Sequence, residues 1–229
     1  MMLACIQQFS MRFPPLLTFG LVFICMCVLA KPKTRVFSEL VESNYHFQVF
    51  EWNGEAENVL REVADATCLE FNQKDQFFDR TNEVGIEIER ILEEQFVKRE
   101  VKCEAPRTLS GRKQNGGYPD LAFELDGANF YLEVKVFSSD TISSTQRTFY
   151  FSVSDDPKIV RDAFHLLIGF ELEKKDDSDY RILQYHVRDL RYLPCKVKVE
   201  YNASNKSLYG EEARGYQFSS STSTNGSSP

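Results

Sequence analysis

The 229-residue chain holds one tryptophan and three histidines, and it has no excess of positive charge. Its 27 Lys and Arg against 34 Asp and Glu leave a formal −7, which excludes a histone-like or arm-type binder held by bulk positive charge. A local basic cleft stays open, because the field at a site matters more than the sum. Six cysteines without a Cys-x-x-Cys pair exclude a disulfide scaffold and a zinc ribbon. His46, His165 and His186 show no metal-ligand spacing, and His165, opening an apolar run, is expected to be a satisfied core residue. The Gly-x-Ser-x-Gly elbow of a serine hydrolase is missing too. There is no internal repeat.

What is present is unevenly spread. Residues 1–30 carry a single charge, Arg12, and Leu16 to Ala30 form an uncharged apolar run. As a helix that run would span roughly 22 Å, short of the ~30 Å hydrocarbon core. Its positive-then-apolar pattern, closing on Val28-Leu29-Ala30, fits a secretory signal, while initiation at Met26 would make it a mis-assigned start. Export or membrane anchoring stays open on this reading. Residues 216–229 are a Ser-rich tail too polar to order itself. The interval 31–215 is left as one domain of ordinary size. Its three cysteines, Cys68, Cys103 and Cys195, are an odd number that fits reduced thiols and a cytoplasmic protein.

Within that interval, residues 55–72 show helical spacing of Val59, Leu60, Val63, Ala64, Cys68 and Leu69. Asn82 can cap a second helix whose buried stripe is Val84, Ile88, Leu92 and Phe96. A breaker-rich loop from Pro106 to Pro119 follows, then Leu121–Leu125, the turn dipeptide Asp126-Gly127, and Phe130–Phe137, which together read as a hairpin. Asp156-Pro157 predicts a short helix through Phe164. His165–Phe170 reads as a buried strand, and Tyr180–Val187 and Lys196–Tyr201 as two more. The expected fold is α/β, a mixed central sheet flanked by helices.

The chemistry concentrates in Tyr118-Pro119-Asp120 and Leu132-Glu133-Val134-Lys135. Glu133 and Lys135 are two apart on a strand and share a face. A two-residue turn at Asp126-Gly127 sets Asp120 opposite Glu133, whereas a four-residue turn sets it opposite Lys135. Either register gathers two carboxylates and an ammonium. Two such acids repel unless a cation sits between them, and Mg²⁺, which takes one or two protein carboxylates and keeps waters, suits the pair Asp120 and Glu133. Lys135 could orient or deprotonate a water, or stabilise developing charge. On the second helix Glu89 lies about 60° from the stripe centre at Leu92 and Glu93 about 100°, so phase favours Glu89 as a third acid.

A Pro-Asp, then Glu-x-Lys on a hairpin, preceded by the Gly85-x-x-x-Glu89 step on a helix, resembles the PD-(D/E)xK nuclease superfamily. The segments GGYPDLAFEL, YLEVKVF, STQRTFYFS and KIVRDAFHLLIGFELE are similar to type II restriction endonucleases, over about residues 80–205. The resemblance implies a Mg²⁺-dependent endonuclease that cuts double-stranded DNA at a short sequence, usually as a homodimer, with a cognate DNA methyltransferase as its functional partner. It implies a restriction-endonuclease-like core. It makes Asp120 and Glu133 metal ligands, Lys135 the catalytic lysine and Glu89 the helix acid.

DNA contacts are less specified. Arg112 and Lys113 lie in the loop before Asp120 and could track phosphates; Gln146 and Arg147 follow the second strand of the hairpin and could read adenine and guanine edges. Two other readings compete. One is an exported, non-catalytic α/β binding protein in which Glu133 and Lys135 form a surface pair worth ~0–1 kcal/mol. The other is a structure-specific or repair nuclease of the same superfamily.

Overall fold

A computed structural model describes residues 34–74, 78, 80–114, 116–144, 148–175, 179–198, 204 and 207–208. Cα packing divides the chain into a unit ending at Lys196 and a segment from Val197, and the site belongs to the first. Chain order is β1 (Thr34–Val36), α1 (Phe37–Tyr45), β2 (Val49–Phe50), α2 (Glu57–Gln73), α3 (Thr81–Val97), β3 (Cys103–Glu104), β4 (Leu121–Leu125) and β5 (Ala128–Phe137). A 3-10 turn (Ser139–Thr141), β6 (Ala163–Lys174), β7 (Tyr180–Asp189) and β8 (Pro194–Lys196) complete it.

The fold is mixed α/β around a six-stranded sheet, ordered β2-β6-β5-β4-β3, with β7 also paired to β6. β3, β4 and β5 run antiparallel, whereas β5 and β6 are parallel and β7 returns antiparallel on β6. β1 and β8 form a separate two-stranded sheet. Even-numbered β6 residues Leu166, Ile168 and Phe170 join Leu121, Phe123, Phe130, Leu132 and Val134 on one face, which α2 and α3 cover. The expected stripe holds in full: Val84, Ile88, Leu92 and Phe96 are all buried. The other face carries a smaller cluster, in which Phe37 and Val41 of α1 meet Tyr118, Tyr131 and Ile159. A sheet of period two and helices of period near four therefore share one core.

Three expectations about element ends are corrected. Asn82 does not cap α3: the helix begins at Thr81 after extended Arg80, without a side-chain cap. No helix forms from Asp156 to Phe164, because β6 already starts at Ala163. Asp156 instead accepts hydrogen bonds from the Ser110 amide (2.7 Å), the Ser110 hydroxyl (2.8 Å) and the Arg112 guanidinium (2.7 and 3.0 Å). Asp156 is therefore a cap for the loop at 108–112 rather than for a helix. The third correction concerns Lys196–Tyr201: β8 ends at Lys196, Val197 and Lys198 are not strand, and 199–201 lie outside the described residues. Cys68, Cys103 and Cys195 are free thiols. Among the described residues no helix is long and apolar enough to cross a membrane; the leader lies outside them.

Candidate active site

The Asp126-Gly127 turn decides the register. Both residues have positive φ (51° and 78°), as a two-residue primed turn requires. Leu121 then pairs with Leu132 and Leu125 with Ala128. This is the shorter of the two turns considered above. One step beyond the last paired residue, Asp120 stands beside Glu133 and Val134.

There the charges converge. The Val134 amide donates to Asp120 Oδ2 at 2.9 Å. Lys135 Nζ donates to Glu133 Oε1 at 2.5 Å and to the Val134 carbonyl at 3.0 Å, and lies 3.6 Å from Asp120 Oδ2. Glu133 is 4% exposed and Lys135 is partly open. Burial, then the Asp120 charge, raises the Glu133 carboxyl, and Lys135 only partly offsets them. Glu133 Oε2 is buried without a hydrogen-bond partner among the described residues. A buried carboxylate oxygen with no donor is costly. A divalent cation bound there would remove that cost, so the donor set fits Mg²⁺ held by one or two protein carboxylates. Among the described residues no cluster of three or more His, Cys, Asp or Glu forms a metal cage.

Glu89 joins the group from α3. Desolvation and then the charges of Asp120 and Glu93 raise its carboxyl, while Lys135 and Lys158 oppose them. The side chain that helix phase selects therefore lies in the electrostatic field of the hairpin charges. Glu87, on the far side, pairs with Arg90 and Lys74. At Gly85 an added Cβ would touch Val136 at 3.7 Å, so the first turns of α3 lie directly on β5.

Sequence reasoning did not select Lys158 or the aromatic support beneath Asp120. Lys158 is buried, and its Nζ donates to the carbonyls of Gly117 (2.9 Å) and Pro119 (3.1 Å). Burial pulls its pKa down, and the charges of Asp120, Glu133 and Glu89 oppose that. The Tyr118 hydroxyl and His165 Nδ1 share a 2.7 Å hydrogen bond, with Phe37 edge-on to both rings. His165 is fully buried and its pKa falls to about 3 by desolvation. It is a core histidine, as its place in the apolar run suggested, but only half satisfied: among the described residues its Nε2 is buried without a hydrogen-bond partner. Lys158 gave no periodic signal, since it lies in an irregular segment.

The residues expected to meet DNA are not gathered in the same way. Arg112 is 70% exposed along its side chain but bound to Asp156. Lys113 is exposed. Gln146 and Arg147 lie outside the described residues.

Comparison with known proteins identifies a family. The family model for type II restriction enzyme MjaV matches residues 30–212. The chain is 38% identical over 142 residues to type II restriction enzyme MjaV of Methanocaldococcus jannaschii, an alignment covering 58% of this chain and 61% of that protein. The chain thus spans about three fifths of the length of the curated relative it matches. With most of its length matched by one family model, and a mixed sheet carrying acids and a lysine at one strand end, the chain belongs to the MjaV family of type II restriction enzymes.

Proposed function

We propose that this protein is a site-specific DNA endonuclease that hydrolyses phosphodiester bonds of duplex DNA with Mg²⁺. One observation carries the reading: Asp120, Glu133 and Lys135 meet at the open end of one hairpin, and among the described residues Glu133 Oε2 is buried there without a donor. Asp120 and Glu133 are the metal ligands. Bound Mg²⁺ would supply a water of lowered pKa and a Lewis acid for a phosphoryl oxygen.

The protein's own groups do the remainder. The Val134 amide holds Asp120 Oδ2, leaving its second oxygen for the metal. Lys135 lies within reach of both carboxylates, so its ammonium can orient a water or stabilise charge developing on the phosphate. Glu89, raised by burial and by Asp120, is the third acid of the site and extends it toward α3. Arg112 and Lys113, with Gln146 and Arg147, remain the candidates for DNA contact. Action as a homodimer on a palindrome, a cognate methyltransferase and a cytoplasmic location complete the proposal.

Purified protein incubated with plasmid and phage DNA in Mg²⁺ tests it. The expected result is discrete fragments, lost with EDTA and lost in Asp120→Ala and Lys135→Ala. A lack of Mg²⁺-dependent cleavage across varied duplexes would overturn it. Cleavage confined to branched DNA would replace a restriction enzyme with a structure-specific nuclease.

A further inference from the structure

Lys158 is the one lysine or arginine among the described residues that is buried, at 5% exposure. A buried ammonium is costly unless its donors are used. Two of its three N–H groups are used by the carbonyls of Gly117 and Pro119, which flank Tyr118 on the way to Asp120. Asp120, Glu133 and Glu89 all act on it electrostatically, yet it makes no hydrogen bond to any of them. Lys135, by contrast, is bonded to a carboxylate directly. The two lysines have different partners and so different jobs.

The segment that Lys158 grips needs an outside tie. Gly116 and Gly117 are consecutive, Gly117 has φ +82°, and Pro119 contributes no N–H. Among the described residues, the turn and loop backbone bonds include none made from within 113–120. Side chains do the anchoring instead: Tyr118 from below through His165, and Lys158 through two carbonyls. Asp120 is the next residue along, and its carboxylate meets the Val134 amide only if this backbone is held.

We propose that Lys158 is a positioning residue for Asp120: by clamping the Gly117 and Pro119 carbonyls it sets where the Asp120 carboxylate points, and thereby how tightly the site holds a divalent cation. The metal part of this inference rests on the nuclease reading; the clamping part does not. Lys158 acts through backbone oxygens, so a neutral donor of similar reach preserves much of its effect and an apolar side chain does not.

The test compares wild type, Lys158→Met and Lys158→Gln in the full chain. Amide hydrogen exchange reads Val134 directly, because its N–H is bonded to Asp120 Oδ2. Calorimetric titration with Ca²⁺ alone, without DNA, reads the cation site. Cleavage against Mg²⁺ concentration separates half-saturation from maximal rate. In Lys158→Met, Val134 exchange is expected to rise about tenfold with Leu132 unchanged. Ca²⁺ affinity should fall, and the Mg²⁺ needed for half-maximal cleavage should rise, by roughly 10- to 100-fold. The rate at saturating Mg²⁺ should stay within about threefold of wild type, and Lys158→Gln should recover Val134 protection.

Unchanged Val134 exchange with unchanged Ca²⁺ affinity overturns the proposal. Tighter Ca²⁺ binding in Lys158→Met overturns it in favour of a pure counter-charge. A collapse of rate at saturating Mg²⁺ overturns it in favour of direct substrate contact. If Lys158→Met does not fold, Lys158→Ala takes its place: Val134 exchange raised in it and recovered in Lys158→Gln supports the clamp, and Val134 exchange unchanged in it refutes the clamp. If wild type neither binds Ca²⁺ nor cuts DNA, the nuclease reading falls while Val134 exchange still judges the clamp.

Discussion

The β4–β5 hairpin has two ends of opposite character. At the turn end Phe123 and Phe130 stack at 4.6 Å and Phe130 stacks on Phe164 at 5.0 Å. Phe130 and Phe123 belong to the core under α2 and α3. At the open end, Asp120, Glu133 and Lys135 gather beside one orphaned carboxylate oxygen. Register is set at the first end and used at the second. The lesson is that stability and chemistry are segregated along the same two strands, so they can be broken separately.

The largest expected effect is at the open end. Glu133→Gln, Asp120→Asn and Lys135→Met should each reduce Mg²⁺-dependent cleavage by roughly 10²- to 10³-fold or more, with circular dichroism unchanged. A variant that kept full activity would end the segregation at its functional end. Next comes Phe130→Ala at the turn end, which should cost about 3–5 kcal/mol in denaturant unfolding as a large buried ring is lost. Any of this protein still folded should bind Ca²⁺ with wild-type affinity.

The third effect concerns pH. His165 has a folded pKa of about 3 against an unfolded value of 6.5, so the unfolded state binds more protons between them. Stability from this group is full above pH 6.5 and is lost as pH falls toward 3, about 3 kcal/mol of it by pH 4. Urea titrations from pH 7 to pH 4 should show a shallower decline in His165→Gln than in wild type. The fourth is smaller and links the two ends to solvent. Glu133 has its pKa raised, so a cation must displace a proton more often at lower pH. Ca²⁺ should therefore raise the melting temperature more at pH 8 than at pH 6, and in Glu133→Gln that difference should shrink. Smallest is Arg90→Ala on the outer face of α3, where Arg90 and Glu94 are exposed and Glu87 is partly so; the cost should be within about 1 kcal/mol in the same urea assay.

Legibility in the sequence followed the same division. The hairpin came from a dipeptide, Asp126-Gly127, but its register stayed open between two turn lengths, and the two positive φ values chose the shorter. The α3 stripe came from spacing, and Glu89 from its phase on that stripe. Four elements left no such trace: β1, β2 and β3 have two or three residues each, too few for any period to show, and α1 buries only Phe37 and Val41 of its nine residues. The segment from Asp156 to Asp162 misled because Asp-Pro fits a helix start and a loop cap equally well by composition. Only the distant Ser110 and Arg112 distinguish them. Lys158 was illegible for the same reason, since its partners at Gly117 and Pro119 lie about 40 positions away and are backbone oxygens.

The three hairpin charges also share a short stretch of chain. Asp120, Glu133 and Lys135 lie within sixteen consecutive residues closed by a two-residue turn. The loop entropy needed to bring them together is small, and hairpins of this kind close in about 1–10 μs. The parallel pairing of β5 with β6 must instead close the long connection from Ser138 to Asp162. In folding, then, the charges meet early, while the strand that buries Glu133 and the lysine that steadies Asp120 arrive only after a slower, non-local search. A nascent chain would hold the charges of this site together before it holds the site rigid.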